Sequence, residues 1–440
     1  MKAVIVNAFE RNNRGDAALL DVMIDQVRQA HPQAQIVICG FEDPVAHPEV
    51  WGTRNLGSIR RYSADESIGR VTRILRKSLV AVVVLALAAG LGRRPAAALC
   101  RILPRELAGE LSAIASADLV VSLGGGYLHG GAGLGYDLSI GFLLLPLWIA
   151  ERFGVPVVLG PQSFGPFPTR FQRLAVRRVL TRAYAVSTRE DISRAMLLET
   201  GVPERVMRRD VDSAFAFTPE CDRDWRGELQ IPATAHLIVV TMRAYLKPAA
   251  QEAYESEMAS GIEQVLRADE RRFVVLAPQV TCEFQDDDDR LVHRRIAQRV
   301  GHPRLVMIDD AAVSHRDIFG LYGSADLTVA TRFHSAIFSL SQCVPCVVLN
   351  YANKGLGIMR DLGFEQWVAD MASVRADWLV ERVDRALRDG DYRLGLQKAI
   401  PGYRADVGRF VEVLRSAVSP VASPAAAPVE LPASAANTDA

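Results

Sequence analysis

The sequence shows no excess of charge of either sign, because its 440 residues include 51 basic and 51 acidic side chains. Proteins whose main partner is nucleic acid normally carry a basic surplus, so we expect no nucleic-acid partner. The balance still allows a local basic pocket that binds one small anion. Aromatic residues make up only 7% of the chain, which disfavours a non-catalytic protein that holds polysaccharide on stacked rings.

Cysteines are also few, and four of the six stand alone. Cys343 and Cys346 form a C-x-x-C pair inside an apolar run, but a structural zinc site needs a second pair. We therefore expect these thiols to pack in the core. No signal-peptide pattern precedes the first strand pattern, Val4–Asn7, which predicts a cytoplasmic protein with reduced thiols.

The apolar run Leu79–Leu91 is 13 residues long, short of the roughly 20 residues that a membrane-spanning helix needs. Arginine and lysine flank it on both sides. Two interpretations stay open. One is a buried core helix; the other is an interfacial helix that would make the protein peripheral on the inner face of the plasma membrane.

Short apolar runs alternate with helical patterns along both halves of the chain, which predicts an α/β fold with parallel sheets. The predicted strands are Val4–Asn7, Gln35–Cys39, Asp118–Leu123, Val155–Leu159, Ala183–Ser187, His236–Thr241, Phe273–Ala277, Arg304–Ile308, Leu327–Ala330 and Cys346–Leu349. The pattern pauses at residues 219–233, where proline and glycine indicate a linker. It therefore predicts one domain over 1–218, a second over 234–395, a helical segment over 396–418 and a disordered tail over 419–440.

Ligands of open parallel sheets bind beyond the carboxyl ends of the strands, and unusual residues follow several strands of the first half. Asn13, Gly15 and Asp16 come after the first strand and open a helix. They are either a ligand-binding loop or a simple turn with Asp16 as N-cap. The glycines Gly124, Gly125 and Gly126 and the side chain of Gln162 also follow strands. We consider all of these as contacts for an acceptor, with a flexible turn as the alternative for the glycines.

The strongest cluster lies in the second half. Arg332, His334 and Ser335 follow the strand Leu327–Ala330, and Lys354 follows the next strand. An arginine fork can hold a carboxylate or phosphate, and a histidine can transfer a proton near neutral pH. Two neighbouring strand ends that both supply cations favour an anion site over surface charges. Two further arginines stand at equivalent strand ends of the two domains and could close on the same anion: Arg189 and Arg243.

The acidic run Gln285–Arg290 precedes a predicted helix. Its carboxylates could hold magnesium, but we favour the plainer interpretation, in which acidic residues complement a helix N-terminus. We therefore expect no resident metal ion.

Taken together, these motifs resemble the polysaccharide pyruvyl transferase family over most of residues 1–390. The matching segments are Asn13–Ala18, Gly124–Gly126, Gly160–Pro166, Thr188–Glu190, Asp210–Phe215, Thr331–Ile337, Asn350–Tyr351, Lys354 and Gly357–Met359. The resemblance implies two Rossmann-like domains in a GT-B-like arrangement. It places the active site in the interdomain cleft, the acceptor on the first domain and the donor on the second.

The resemblance also implies an activity: transfer of the pyruvyl group of phosphoenolpyruvate to a hexose of an exopolysaccharide or its lipid-linked repeat unit, as a pyruvate ketal. It assigns Arg332, His334 and Lys354 to the donor, with Arg189 as a further donor contact. From their chemistry we take His334 and Arg332 as catalytic, and we add Arg243 and Ser335 as donor-binding residues. No organic cofactor is needed, because phosphoenolpyruvate is itself an activated co-substrate. The alternatives are a GT-B glycosyltransferase that uses a nucleotide sugar and a non-catalytic polysaccharide-binding protein.

Overall fold

A computed structural model describes residues 1–9, 11–64, 68–282, 287–351 and 354–418. Its first half is built on a sheet with the strand order β3-β4-β2-β1-β5-β7-β8-β9, in which β6 also pairs with β7. The pairs are parallel except for β3 with β4. The strands are β1 (Lys2–Ala8), β2 (Gln35–Gly40), β3 (Glu49–Val50), β4 (Thr53–Asn55), β5 (Leu119–Ser122), β6 (Gly125–Leu128), β7 (Val157–Phe164), β8 (Ala185–Thr188) and β9 (Met207–Arg209).

The second half repeats this design with a parallel sheet of order β14-β11-β10-β15-β16-β17. Beside it lies a short antiparallel pair, β12 with β13. The strands are β10 (His236–Thr241), β11 (Arg272–Leu276), β12 (Thr281–Cys282), β13 (Asp287–Asp288), β14 (Leu305–Met307), β15 (Leu327–Ala330), β16 (Cys346–Asn350) and β17 (Val368–Asp370). The two sheets confirm the predicted α/β class.

Helices cover the sheets and bury an apolar side against them. They are α1 (Arg14–Ala30), α2 (Ile59–Ala64), α3 (Arg70–Ala88), α4 (Arg93–Leu99), α5 (Arg105–Ala115), α6 (Leu134–Arg152), α7 (Arg170–Leu180), α8 (Asp191–Thr200), α9 (Trp225–Glu228), α10 (Pro248–Ala268), α11 (Asp289–Val300), α12 (His315–Gly323), α13 (Phe333–Ser341), α14 (Lys354–Asp361), α15 (Ala376–Arg388) and α16 (Gly390–Ser416). One of them, α6, is long and apolar enough to cross a membrane by length and composition. It is also a core helix, with Leu143, Leu144 and Leu147 buried.

The chain passes between the domains twice. The first passage is the predicted linker 219–233, which is more ordered than a simple spacer because it contains α9. Trp225 is 3% exposed and its Nε1 donates to the Asp317 carbonyl at 2.7 Å, so this segment packs onto the second domain.

The second passage is α16, which begins at Gly390, before the predicted residue 396, and returns to the first domain. There His31 Nε2 lies 3.1 Å from the Leu414 carbonyl, and Arg415 donates to the Gln29 carbonyl at 3.3 Å. One hydrophobic core consequently runs from β1 and α1 through the second sheet to α16. The predicted tail, 419–440, lies outside the described residues.

Candidate functional site at the domain interface

The strand-end loops of the two sheets meet each other directly. The Arg14 N–H donates to the Gln279 carbonyl at 3.1 Å, and the Thr281 N–H donates to the Asn12 carbonyl at 2.9 Å. The loop after β1 is thus joined by backbone hydrogen bonds to the loop after β11. This junction brings the carboxyl edges of both sheets, where the sequence predicted ligand-binding residues, to one interface.

Gly15 lies against the imidazole of His334 at this interface. A Cβ atom built on Gly15 would lie 2.1 Å from His334 Nδ1, so no larger residue fits without movement. The loop is shaped by Asn13, whose Oδ1 accepts the N–H groups of Gly15 and Asp16 at 3.2 and 3.3 Å. Asn13 is therefore the N-cap of α1, and the alternative with Asp16 as the cap was wrong.

Arg332, two residues before His334, is held by two carboxylates. Its Nε and Nη2 donate to Asp289 Oδ1 at 3.0 and 2.6 Å, and its Nη1 and Nη2 donate to Asp287 at 3.0 and 2.5 Å. Arg332 is 7% exposed. We expected a guanidinium open to a donor anion, whereas the structure shows one that is buried and neutralised within its own domain, because a buried cation needs partners.

These ion pairs fix the charges of the cluster. Burial alone would lower the pKa of Arg332, but Asp289 and Asp287 outweigh that effect and raise it. Burial would likewise raise the pKa of Asp287, yet the hydrogen bonds and charge of Arg332, with the charge of Arg243, lower it. Arg332 and Asp287 are therefore ionised at neutral pH. His293 in the same cluster is neutral, because burial lowers its pKa to about 4.

The acidic run is the source of both carboxylates. The favoured interpretation holds for Asp288, which caps α11 by accepting the Arg290 N–H at 3.0 Å. It also holds for Asp289, which lies in the first turn of α11, but not for Asp287. Both Asp287 and Asp289 neutralise an arginine more than 40 residues away, a role that the sequence did not indicate. Residues 285 and 286 lie outside the described part of the chain. Where the structure describes side chains, no three His, Cys, Asp or Glu residues group as metal ligands.

Arg243 joins this cluster from the end of β10. Its Nη1 donates to Tyr351 Oη at 2.7 Å and its Nη2 to Asp287 Oδ1 at 3.3 Å. Its Nε is buried and has no hydrogen-bond partner among the described residues. Asp287 therefore bridges two guanidinium groups, those of Arg243 and Arg332, so these two strand ends do converge.

The other two predicted donor residues of this domain are placed differently. Ser335 is fully buried and its hydroxyl lies 3.4 Å from Gln279 Oε1, so it packs behind the interface. Lys354 begins α14 directly after β16, at the same edge of the sheet, but its side chain lies outside the described residues.

Arg189 approaches the cluster from the first domain. Its guanidinium donates to Ser163 Oγ at 2.9 Å and to Asp212 Oδ2 at 2.6 Å, and it lies 4.1 Å from the centre of the Phe333 ring. Phe333 stands between Arg332 and His334 in the sequence. Arg189 thus reaches across the interface as predicted, but it stacks on an aromatic ring and is already paired with a carboxylate.

The glycine loop of the first domain borders the same interface. A Cβ atom on Gly124 would lie 2.5 Å from the Pro161 carbonyl oxygen, and one on Gly125 would lie 3.6 Å from Asp16 Oδ1. Gly125 also has a φ of 133°, which favours glycine. Gln162 is fully buried, whereas Gly126 and Asp16 are partly exposed. Gly125 and Gly126 belong to β6, so these glycines serve close backbone packing and the alternative of a flexible turn was wrong; Gly126 is the partly exposed one.

The role of Arg14 was not predicted from the sequence. This side chain is 1% exposed and donates to the carbonyls of Val313 and Ala311 at 3.0 and 3.1 Å and to Thr281 Oγ1 at 3.1 Å. It therefore anchors the first domain in the second. The local motif predicts only a turn, because the residues that Arg14 contacts lie far away in the sequence.

Comparisons with known proteins agree with this architecture. Two solved UDP-GlcNAc 2-epimerases are similar in structure: the Neisseria meningitidis enzyme bound to UDP-GlcNAc has a TM-score of 0.58 at 11% identity, and the Methanocaldococcus jannaschii enzyme a TM-score of 0.56 at 12% identity. Each match covers 94% of this chain and 100% of the solved chain. These likenesses confirm the GT-B-like arrangement of two Rossmann-like domains.

The sequence comparisons are more specific. The amylovoran biosynthesis protein AmsJ of Erwinia amylovora is 25% identical over 402 residues, which cover 88% of this chain and 92% of that protein. The family model described as polysaccharide pyruvyl transferase matches residues 13–353, from the N-cap of α1 to the position before Lys354. The chain therefore belongs to the polysaccharide pyruvyl transferase family, whose members are transferases that act on polysaccharide.

Proposed function

We propose that this protein transfers the pyruvyl group of phosphoenolpyruvate to a hexose of an exopolysaccharide or its lipid-linked repeat unit. The product is a pyruvate ketal, and inorganic phosphate is released. The observation that carries the proposal is the position of His334, which meets the Gly15 loop of the first domain and stands two residues after Arg332, whose guanidinium shares Asp287 with that of Arg243. Family membership supports the same reaction class.

The reaction needs a proton donor, a base and cations. One acceptor hydroxyl adds to C2 of the enol phosphate while C3 gains a proton, and the hydroxyl loses its own. Phosphate then leaves C2, and a second hydroxyl closes the ketal with loss of its proton. His334 is our candidate for proton transfer, since an imidazole changes charge near neutral pH. The electrostatic support for carboxylate and phosphate comes from cations at the strand ends.

The ion pairs of Arg332 suggest how the guanidinium groups would bind the anionic donor. Asp289 is fully buried, but the Asp287 side chain is 29% exposed and sits between Arg332 and Arg243. We propose that a donor carboxylate or phosphate replaces Asp287 on these two guanidinium groups while Asp289 keeps Arg332 in place. Arg243 has a further donor to offer, because its buried Nε has no partner among the described residues.

The acceptor is proposed to lie on the first domain, along Gly126 and Asp16. These residues are partly exposed and follow β1 and β5, at the carboxyl edge of the first sheet, where Gly15 meets His334. Asn13 and Gly15 shape the loop that contains Asp16. Gly124 and Gly125 allow close backbone packing beside it, and the buried Gln162 pairs with Gly125 in the sheet. Arg189 orders the interface by covering Phe333, so we assign it to positioning.

The proposal is tested by phosphate release from phosphoenolpyruvate in the presence of a model glycoside acceptor, with product mass as the second readout. His334→Ala should lower kcat about 10²- to 10⁴-fold, the usual contribution of general acid–base catalysis, with little change in the KM for the donor. His302→Ala is the control, because His302 precedes β14 at the amino edge of the second sheet, away from the strand ends that form the site, and its Nδ1 accepts the Arg304 N–H at 3.1 Å. A His334→Ala enzyme that keeps its kcat would remove His334 from the chemistry.

The GT-B glycosyltransferase alternative is separated by ligand-induced thermal stabilisation. A ligand that binds the native state raises its stability by about 2.7 kcal/mol at a hundredfold excess over Kd. Phosphoenolpyruvate should raise the Tm and UDP-sugars should not. The reverse result would favour a nucleotide-sugar enzyme.

A further inference from the structure

The helix α3 presents an apolar face on each of two opposite sides. Val80, Val83 and Leu87 are buried, in line with a core helix. The apolar side chains that stand at 71, 75, 82 and 85, on the opposite face of the helix, are instead 61–72% exposed: Val71, Leu75, Val82 and Leu85. The buried-helix interpretation of this segment therefore accounts for only one side of α3.

Cations surround the exposed side. Residues 68–105 contain eight arginine and lysine residues and no acidic residue, in a chain that has 51 of each sign. On α3, Arg70 and Lys77 are exposed beside the apolar face, and α4 adds the exposed Arg93 and Arg94. A groove of about 570 Å³ runs between α3 and the start of α5, where Arg105 faces Leu75. A surface with this composition attracts an anionic partner and offers it an apolar contact.

We propose that this face of α3, with the cations of residues 70–105, binds an anionic lipid bilayer as an interfacial helix. Interfacial helices combine an apolar face that enters the headgroup region with flanking lysine and arginine, whereas a spanning helix tolerates few charges. The four cations in the first eight residues of α3, Arg70 to Lys77, are typical of the first class. The proposal does not depend on the identity of the donor or on His334, and it would bring the protein to the inner leaflet, whose lipids are anionic.

The test is flotation of the full chain with vesicles of neutral phosphatidylcholine or of phosphatidylcholine with phosphatidylserine. Binding should appear with the anionic vesicles and fall as ionic strength rises, because screening shortens the reach of the charges. Arg70→Gln with Lys77→Gln should weaken binding about fivefold for each cation removed. Val82→Ser with Leu85→Ser should weaken it at least tenfold, since both side chains lose apolar area buried in the membrane.

A matched control comes from α8, which also exposes two large apolar side chains, Ile192 and Leu198, but carries the acidic residues Asp191 and Glu199. Ile192→Ser with Leu198→Ser should leave vesicle binding unchanged. Phosphate release with a soluble acceptor should be unchanged in the α3 variants, which separates this proposal from the catalytic one. Equal binding to neutral and anionic vesicles, or retention of binding by the α3 variants, overturns the proposal. Loss of a dimer instead of loss of vesicle binding would assign the face to a second copy of the chain.

Discussion

Two substitutions test whether the carboxylates that hold Arg332 stabilise the fold or compete with the donor for the guanidinium. Each replaces one aspartate by asparagine, which has the same shape and no charge. Asp289→Asn and Asp287→Asn are matched changes, because both remove one charge from the same guanidinium. They differ in burial, since the Asp289 side chain is fully buried and the Asp287 side chain is 29% exposed. They also differ in further bonds. Asp289 Oδ2 accepts the backbone N–H groups of Gln279 and Val280 at 2.9 and 3.0 Å.

The expected magnitudes follow from these differences. Removal of one partner of a buried ion pair costs about 3–5 kcal/mol. Because Asp287 still faces Arg332 in the Asp289→Asn variant, we expect the lower end, a loss of about 3 kcal/mol in the free energy of unfolding. Asp287→Asn should cost less than about 1 kcal/mol, as for other partly exposed pairs. Urea unfolding monitored by circular dichroism measures both values.

The two variants should also differ in donor binding. If the donor must displace Asp287, then Asp287→Asn removes a competitor, and a hydrogen bond between charged groups is worth about 1.5–3 kcal/mol. Part of that energy should appear as a KM for phosphoenolpyruvate that is about three- to tenfold lower, at nearly constant kcat. A fall in kcat without a lower KM would make Asp287 part of the chemistry. Equal destabilisation by both variants would refute the argument from burial.

Three further changes test other parts of the structure. Gly15→Ala should lower activity at least tenfold and the free energy of unfolding by about 1–3 kcal/mol, because the added Cβ would meet His334. Gly135→Ala is the control: the space around Gly135 is open, so both activity and stability should stay unchanged. Arg14→Lys should cost about 2–4 kcal/mol in urea unfolding, since buried acceptors lose their donors. Burial raises the pKa of Glu110 from 4.5 to about 8. The unfolded chain thus releases this proton first, so wild-type stability should fall between about pH 4.5 and 8, by up to ~1.4 kcal/mol per pH unit, relative to Glu110→Gln. If the free energy of unfolding changed equally with pH in the wild type and in Glu110→Gln, the buried Glu110 would not be the cause.

The sheets were predictable because their strands are buried on both faces. A strand such as β1 or β15 consequently appears in the sequence as a short continuous apolar run, and the carboxyl ends of such strands can be read directly. Seven of the described strands were not predicted: β3, β4, β6, β9, β12, β13 and β17. All but β6 have two or three residues, too few to show a pattern, and β6 begins with glycines that are typical of a turn.

The charge pairing at the site could not be predicted. Both carboxylates of Arg332 lie more than 40 residues away in the sequence, and the partners of Arg14 lie almost 300 residues away. The pairing of Arg332 depends on how the second domain folds and the contacts of Arg14 depend on how the two domains meet, and short motifs carry no information on either. The motif around Arg332 and His334 identified a strand end rich in functional groups, but it could not show that the guanidinium was already neutralised.

The helix α1 contacts both interdomain passages and also carries one side of the site. The linker side of the first domain, at residues Ser213–Ala216, and the returning helix α16 both pack against α1. The other end of the same helix holds Gly15 against His334, and its Asp21 pairs with His315 of the second domain at 3.1 Å. Any rotation about the two interdomain passages must therefore shift α1 relative to α13 and change the Gly15–His334 contact. Because this contact leaves no room even for a methyl group, the approach of Gly15 to His334 depends on the relative position of the two domains. If the proposed donor binds at this interface, a change in that position should change its affinity.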